Sequence, residues 1–294
     1  MKVSIVVPTY KRDSSLKKAL ESLSRQTFKD FEVVLVDDND NPEWNSKVQA
    51  LVDEFSNDNQ NVSINYIENH PNLGSANARN AGINAAQGEY VTFLDDDDIY
   101  LPEKISHQLE KMEQEDADFS FTDLYLYNEN DKLTDKRVRS YIEKTDSDSL
   151  LEYHLMYHMT GTDTMMFRTE YLQKIGGFPP IDVGDEFYLM TSAITGGGKF
   201  SYVPGCFVKA YVHTGEGGLS SGQSKIDGEN TLYDYKKKFF NQLEKKKIRY
   251  IKMRHHAVLA FAYLRIKKYG KFVSEGIKSF VNSPAGCLKM LKER

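Results

Sequence analysis

Four consecutive carboxylates, Asp95, Asp96, Asp97 and Asp98, follow directly on the segment Tyr90-Val91-Thr92-Phe93-Leu94. Aromatic and β-branched residues closed by a leucine have the composition of a buried strand. Four like charges at its end repel one another and are costly to desolvate, so the fold by itself gains nothing from them. A divalent cation removes that conflict, and hard carboxylate oxygens suit Mg²⁺ or Mn²⁺. A diphosphate leaving group gives the cation a reason to sit there. Mg²⁺ takes one or two carboxylates and keeps water and phosphate oxygens, so the four cannot all be ligands.

The elements that must position these acids can be read from spacing. Val3 to Val7, Phe31 to Val36, Val62 to Ile67 and Tyr90 to Leu94 read as strands. Between them lie helical patterns: one capped by Ser14 or Ser15, one over residues 43–55, and one over residues 75–87 closed by Gly88. Pro102 opens another helix, where its missing N–H costs nothing. This alternation predicts an α/β fold with a mostly parallel sheet flanked by helices, in which ligands sit beyond the carboxyl ends of the strands. Pro8-Thr9-Tyr10, Asp37-Asp38-Asn39 and Asp95 to Asp98 stand at three of those ends. Beyond residue 119 short strands mix with a helix over residues 186–195. Residues 213–222 read as a glycine-rich mobile loop, and residues 125–150 as either a mobile loop or part of an acceptor site. From Asn230 the pattern is helical, with breaks near Gly270 and Ser283-Pro284.

The 294 residues suffice for one large α/β domain with an appendage, or for two domains. The two cysteines, Cys206 and Cys287, make neither a disulfide framework nor a zinc site and fit a reducing cytoplasm. Pro8 ends the N-terminal apolar run too early for a signal peptide, and no run approaches a membrane span. Charge is segregated: residues 236–294 carry 17 Lys+Arg against 3 Asp+Glu, and residues 1–235 carry 21 against 40. An acidic body with a basic tail is expected to seek an anionic surface. No nucleic-acid-binding module is visible.

Several of these segments together resemble glycosyltransferase family 2: Val3 to Tyr10; Val36-Asp37-Asp38-Asn39; Asn72-Leu73-Gly74 through Ala78-Arg79-Asn80-Ala81-Gly82; and Phe93 to Asp98 with Leu101-Pro102-Glu103-Lys104. Gly176-Gly177-Phe178 followed by Gly184-Asp185 resembles the family's acceptor half, so the likeness covers residues 1–222. It implies a GT-A fold, a nucleoside-diphosphate sugar donor with uridine as the default base, a divalent metal ion (Mn²⁺ or Mg²⁺) and inverting transfer to a saccharide or lipid-linked acceptor. On this reading residues 1–225 form the catalytic domain. Residues 1–100 are its nucleotide-binding half and 101–225 its acceptor half, and residues 226–294 are a basic helical extension.

The resemblance also assigns roles. Asp95 and Asp97 match the acidic motif, with Asp97 the first choice as direct metal ligand and Asp95 shared between metal and donor. Asp96 contacts the ribose or orients the cation, and Asp98 stands behind. Asp38 matches the carboxylate that reads the base, which Pro8, Thr9 and Tyr10 flank; Tyr10 either stacks on the base or packs in the ordinary way. Asp37 caps a turn. Arg79 either binds the diphosphate or nucleotide, or neutralises the acids as an ion pair, while Asn80 and Gly82 serve packing. Asp185 is the expected general base, with Glu186 its rival. His213 either ligates the metal or binds diphosphate, or is a surface histidine. His154, His158, His255 and His256 lack metal-site spacing. Thr162-Asp163-Thr164, before the apolar Met165-Met166-Phe167 strand, is expected to line the acceptor pocket.

In the tail, Phe272, Val273, Ile277, Phe280 and Val281 share a helical stripe away from Lys271 and Lys278. That stripe either packs on the protein or lies on an anionic membrane, which would place the enzyme in the cytoplasm, peripheral to the inner face. Two other function classes compete. A nucleotidyltransferase needs a glycine-rich phosphate loop after the first strand, but Pro8-Thr9-Tyr10-Lys11-Arg12 holds no glycine. A non-catalytic binding protein on the same scaffold predicts loss of the base or the metal acids, and both are present.

Overall fold

The computed structural model describes residues 1–181, 183–212 and 222–292. These fall into two compact units: residues 1–147, 159–181 and 185–212, and residues 148–158, 183–184 and 222–292.

The first unit is built on a nine-stranded sheet. Strands β1 (Val3–Thr9), β2 (Phe31–Asp37), β3 (Ser63–Glu68) and β4 (Tyr90–Phe93) are parallel, in the spatial order β3-β2-β1-β4. Their crossovers are helices α1 (Ser14–Ser24), α2 (Pro42–Asp58) and α3 (Ser75–Ala85). Central β1 is buried at Val3, Ile5, Val6 and Val7, so both of its faces are covered; the one polar residue in this run, Ser4, is also buried and donates to Glu32 at 2.6 Å. Helix α1 buries Leu16, Ala19, Leu20 and Leu23 at helical spacing. It is capped by Asp13, whose carboxylate accepts the Ser14 N–H, rather than by Ser14 or Ser15. Helix α2 starts at Pro42, and its cap Asn41 accepts from the N–H groups of Glu43 and Trp44. Helix α3 lies close on the sheet at Gly82, where an added Cβ would meet Val6 Cγ1 at 2.4 Å.

The remaining strands are β5 (Ile99–Tyr100), β6 (Phe119–Asn128), β7 (Leu133–Arg137), β8 (Met165–Arg168) and β9 (Phe200–Val212). Strand β8 runs antiparallel to both β4 and β6, β9 runs parallel to β6, and β5 pairs antiparallel with β9. The sheet is therefore parallel in its first half and mixed beyond β4. Residues 125–150, expected as a mobile loop or part of an acceptor site, hold most of the β6–β7 hairpin and the start of helix α5 (Ser147–Tyr157). Helices α4 (Lys104–Gln114), α6 (Thr169–Lys174) and α7 (Asp185–Thr195) complete the unit.

The second unit gathers α5 with α8 (Gly222–Lys237), α9 (Lys245–Arg265), α10 (Tyr269–Asn282) and α11 (Pro284–Lys292). One of its apolar clusters has Ile226, Leu259 and Ala262 at its centre. Polar pairs supplement it: Glu229 on His255 at 2.9 Å, Glu275 on His256 at 2.7 Å, and Glu152 on Lys247 at 2.5 Å. Two of the tail histidines are thus structural partners of carboxylates. The helical tail breaks at residues 238–244, which the sequence pattern does not reveal, and, as expected, near Gly270, at residues 266–268, and at Ser283.

Candidate active site

Strand register brings the first members together. In the parallel β1–β4 pair Val6 lies opposite Phe93, so Thr9 falls opposite Asp96 three residues on. Thr9 Oγ1 donates to Asp96 Oδ2 at 2.8 Å, and the Tyr10 N–H reaches the same oxygen at 3.2 Å. Burial and the adjacent Asp97 charge nonetheless push Asp96 up to about 7. The Tyr10 ring is 48% exposed, and Pro8 is half-buried opposite Val36.

The antiparallel β4–β8 pair supplies an acid that local sequence does not signal. Tyr90 lies opposite Arg168 and Thr92 opposite Met166, so the same register sets Asp95 opposite Asp163. The Asp95 N–H donates to Asp163 Oδ1 at 2.7 Å. Asp98 folds back, its N–H donating to the Asp95 carbonyl at 3.1 Å, while its Oδ1 accepts the Tyr211 N–H at 2.8 Å. One carboxylate oxygen from each of Asp95, Asp98 and Asp163 then lies within 4.8 Å of the other two. Burial raises Asp98 well above the carboxylate range, with Asp163 next in effect. Burial and Asp95 raise Asp163 to about 7. A hard divalent cation fits such an all-oxygen set and would take over the proton's place between the acids.

Lys104 lies behind this cluster, fully buried, with its ammonium on Thr92 Oγ1 and 4.3 Å from the Tyr100 ring centre. Burial drives its pKa well below the ordinary lysine value, against the pull of Asp163. Asp97 is not one of the three clustered acids; its Oδ2 is 3.0 Å from the Arg12 guanidinium. His213, the other expected metal ligand, lies outside the described residues.

Arg79, on α3, is 6% exposed and joins two distant parts of the chain. One terminal nitrogen donates to Asp95 Oδ1 at 2.6 Å and the other to Asp185 Oδ2 at 2.9 Å. Its guanidinium carbon is 5.3 Å from the Phe178 ring centre, within cation–π reach. Of the two alternatives named for Arg79, binding of diphosphate or nucleotide and an ion pair with the acids, the structure shows the ion pair, with Asp95 and Asp185. Asn80 holds Phe178 by its backbone, donating to its carbonyl at 2.7 Å and accepting its N–H at 2.9 Å. Asp185 stands in the first turn of α7, where a carboxylate is favoured, and accepts the Glu186 N–H at 3.0 Å. Burial raises Asp185 to about 7, while Arg79 opposes the rise.

Asp38 is an anchor for the turn before α3. Its Oδ1 accepts from Asn69 at 3.0 Å and from the Leu73 N–H at 2.8 Å, and its Oδ2 accepts the Gly74 N–H at 2.9 Å. Gly74 sits at φ +77°, a conformation glycine adopts without strain. Of the roughly four acceptor positions on a carboxylate, three are therefore occupied by protein. Asp37 also serves a turn, accepting from both the N–H and side chain of Asn39 and from the Tyr66 hydroxyl.

A family model described as "Glycosyl transferase family 2" matches residues 4–176. The chain belongs to glycosyl transferase family 2. Over 175 residues it is 34% identical to an uncharacterized glycosyltransferase of Methanocaldococcus jannaschii, covering 59% of this chain and 58% of that protein. Over 110 residues it is 37% identical to the Campylobacter jejuni GalNAc(5)-diNAcBac-PP-undecaprenol beta-1,3-glucosyltransferase, covering 37% of this chain and 34% of that one. The chain thus spans less than two-thirds of the length of either relative. Among solved structures, S. aureus TarS 1-349 in complex with UDP-GlcNAc superposes with a TM-score of 0.62 at 18% identity, over 94% of this chain and 90% of that chain. The Pyrobaculum calidifontis mannosyltransferase PcManGT in complex with GDP-Man and Mn²⁺ gives 0.57 at 17%, over 99% and 78%. At such identities these two speak for the fold alone, and the expected GT-A fold of this family-2 chain holds.

Proposed function

We propose that the chain is an inverting glycosyltransferase that moves a sugar from a nucleoside-diphosphate donor, with uridine as base, to a hydroxyl of a saccharide or lipid-linked acceptor. The observation that carries this reading is Asp185: a buried carboxylate raised to about 7 and tied through Arg79 to the acidic strand end. A base poised near neutral pH suits removal of a hydroxyl proton. In the proposed step the acceptor oxygen bonds to the anomeric carbon while its proton passes to Asp185. The bond from that carbon to the diphosphate oxygen breaks, and the electron pair leaves with the diphosphate. A single displacement from one face inverts the centre.

Asp95, Asp98 and Asp163 are the residues that would hold the divalent ion, with Asp97 and His213 the alternatives named by family likeness. The ion would supply positive charge for the departing diphosphate. Thr9, Tyr10 and Asp96, at or just beyond the ends of β1 and β4, take the ribose and base, and Asp38 shapes the adjoining turn. The lipid-linked acceptor draws support from the name of the Campylobacter relative. Among the described residues no helix is long and apolar enough to cross a membrane. We assign residues 1–225 to catalysis and residues 226–294 to a basic helical extension, in an enzyme of surface polysaccharide or glycoconjugate synthesis that works at the cytoplasmic face of the membrane.

A thermal-shift panel of UDP and GDP, with and without Mn²⁺, on wild type and Asp163→Asn tests the donor half of this reading. Stabilisation by one nucleotide that requires both the ion and Asp163 is the expected result. Absence of any shift with either nucleotide would sink it.

A further inference from the structure

Helix α10 is built inside out. Tyr269, Val273, Ile277, Phe280 and Val281 span an arc of about 120° at the helical repeat, and they are exposed by 62, 55, 60, 48 and 66%. The residues it buries are polar. Glu275 accepts from His256 at 2.7 Å and from Lys278 at 2.6 Å, and the Ser279 hydroxyl donates to the Met253 carbonyl at 2.9 Å. Of the stripe expected from the sequence, only Phe272 is partly buried. An amphipathic helix that packs on its own protein turns the apolar face inward. Here that packing is done by the Glu275 carboxylate and Ser279 hydroxyl of α10 against the His256 imidazole and Met253 carbonyl of α9, which leaves the apolar face outward.

The charge around this face selects its occupant. Residues 264–289 carry six basic side chains, Arg265, Lys267, Lys268, Lys271, Lys278 and Lys289, against one acidic, Glu275, which is buried. Leu264 and Leu288, on the flanking helices α9 and α11, extend the exposed apolar surface at 37 and 53%. With Lys278 paired to Glu275, a second copy of the same face would bring a net five positive charges against five, which opposes pairing. An anionic bilayer supplies both of the missing complements: acyl chains for the apolar face and acidic headgroups for the lysines.

We propose that α10 is an interfacial helix that seats its Val273-Ile277-Phe280-Val281 face in an anionic lipid surface. This deepens the membrane-face reading above but uses no property of the transfer site, so the two fail separately. The experiment is sedimentation of the full chain with vesicles of mixed phosphatidylglycerol and phosphatidylcholine, and with vesicles of phosphatidylcholine alone. Wild type is expected to pellet with the mixed vesicles only, and less so in high salt. The double substitution Ile277→Ser, Val281→Ser alters only exposed positions and is expected to lower binding at least about tenfold, with an unchanged circular dichroism melt. Lys267→Glu with Lys271→Glu should lower it comparably. Equal binding by the serine variant, or none by folded wild type, would overturn the proposal. So would sedimentation velocity showing a wild-type dimer that the serine variant dissolves, because the face would then be covered by a second copy.

Discussion

Arg79 and Asp185 are 106 positions apart in the chain, and their side chains meet at 2.9 Å with the arginine's other terminal nitrogen on Asp95 at 2.6 Å. One planar cation therefore couples the proposed base to the acidic strand end. A guanidinium can serve two carboxylates from separate nitrogens, whereas an ammonium presents a single point charge. Desolvation raises Asp185, and Arg79 keeps the rise within about 7.

Asp185→Asn keeps size and shape but cannot accept the hydroxyl proton. Transfer should fall by at least about a hundredfold, with donor-nucleotide affinity changed little. Product release measured alongside nucleotide titration separates the two. Wild-type turnover should rise with pH as Asp185 loses its proton near 7. A flat profile from pH 5 to 9 would remove Asp185 from the role of base.

Asp96 offers a stability test with a definite sign. Its folded pKa of about 7 lies above the reference 3.8, so the native state binds the proton more tightly than the unfolded chain. Stability is then full below the unfolded value and falls as pH rises through about 7. Asp96→Asn retains an acceptor oxygen for Thr9 and Tyr10 without the charge. It should stabilise the ion-free protein by about 1–2 kcal/mol at pH 8 and by little at pH 4, as read by denaturant titration at both values.

The ion-binding acids can be ranked by substitution. Asp163→Asn should weaken Mn²⁺ binding by at least about tenfold, measured by calorimetry in the presence of nucleoside diphosphate. Asp97→Asn should cost less, because that carboxylate is paired with Arg12 at 3.0 Å. The opposite ranking would return the ion to Asp97.

Gly82 tests the seat of α3. A methyl group there meets Val6 Cγ1 at 2.4 Å and Val36 Cγ2 at 3.2 Å, so Gly82→Ala should destabilise by about 1–3 kcal/mol. Val6→Ala in the same chain should recover part of the loss. Independence of the two changes in a double-mutant cycle would contradict the contact.

Local pattern was enough for the alternation of strand and helix through β4, because alternating and helical burial are written into neighbouring residues. It was enough, too, for the strand-end clustering of Thr9, Asp37-Asp38 and the acidic run, since parallel strands deliver their carboxyl ends to one edge. Tertiary structure alone decided the rest. Asp163 joins Asp95 and Asp98 only because β8 pairs antiparallel with β4 in one register, and nothing near residue 163 announces that partner. Asp97 meets Arg12, and Asp38 anchors the turn that carries Gly74, through loop contacts that no periodicity encodes. The sequence by itself determined that α10 has an apolar stripe. That the stripe faces outward was settled by Glu275 and Ser279 finding partners on α9, because a buried polar group goes where its hydrogen bonds are met.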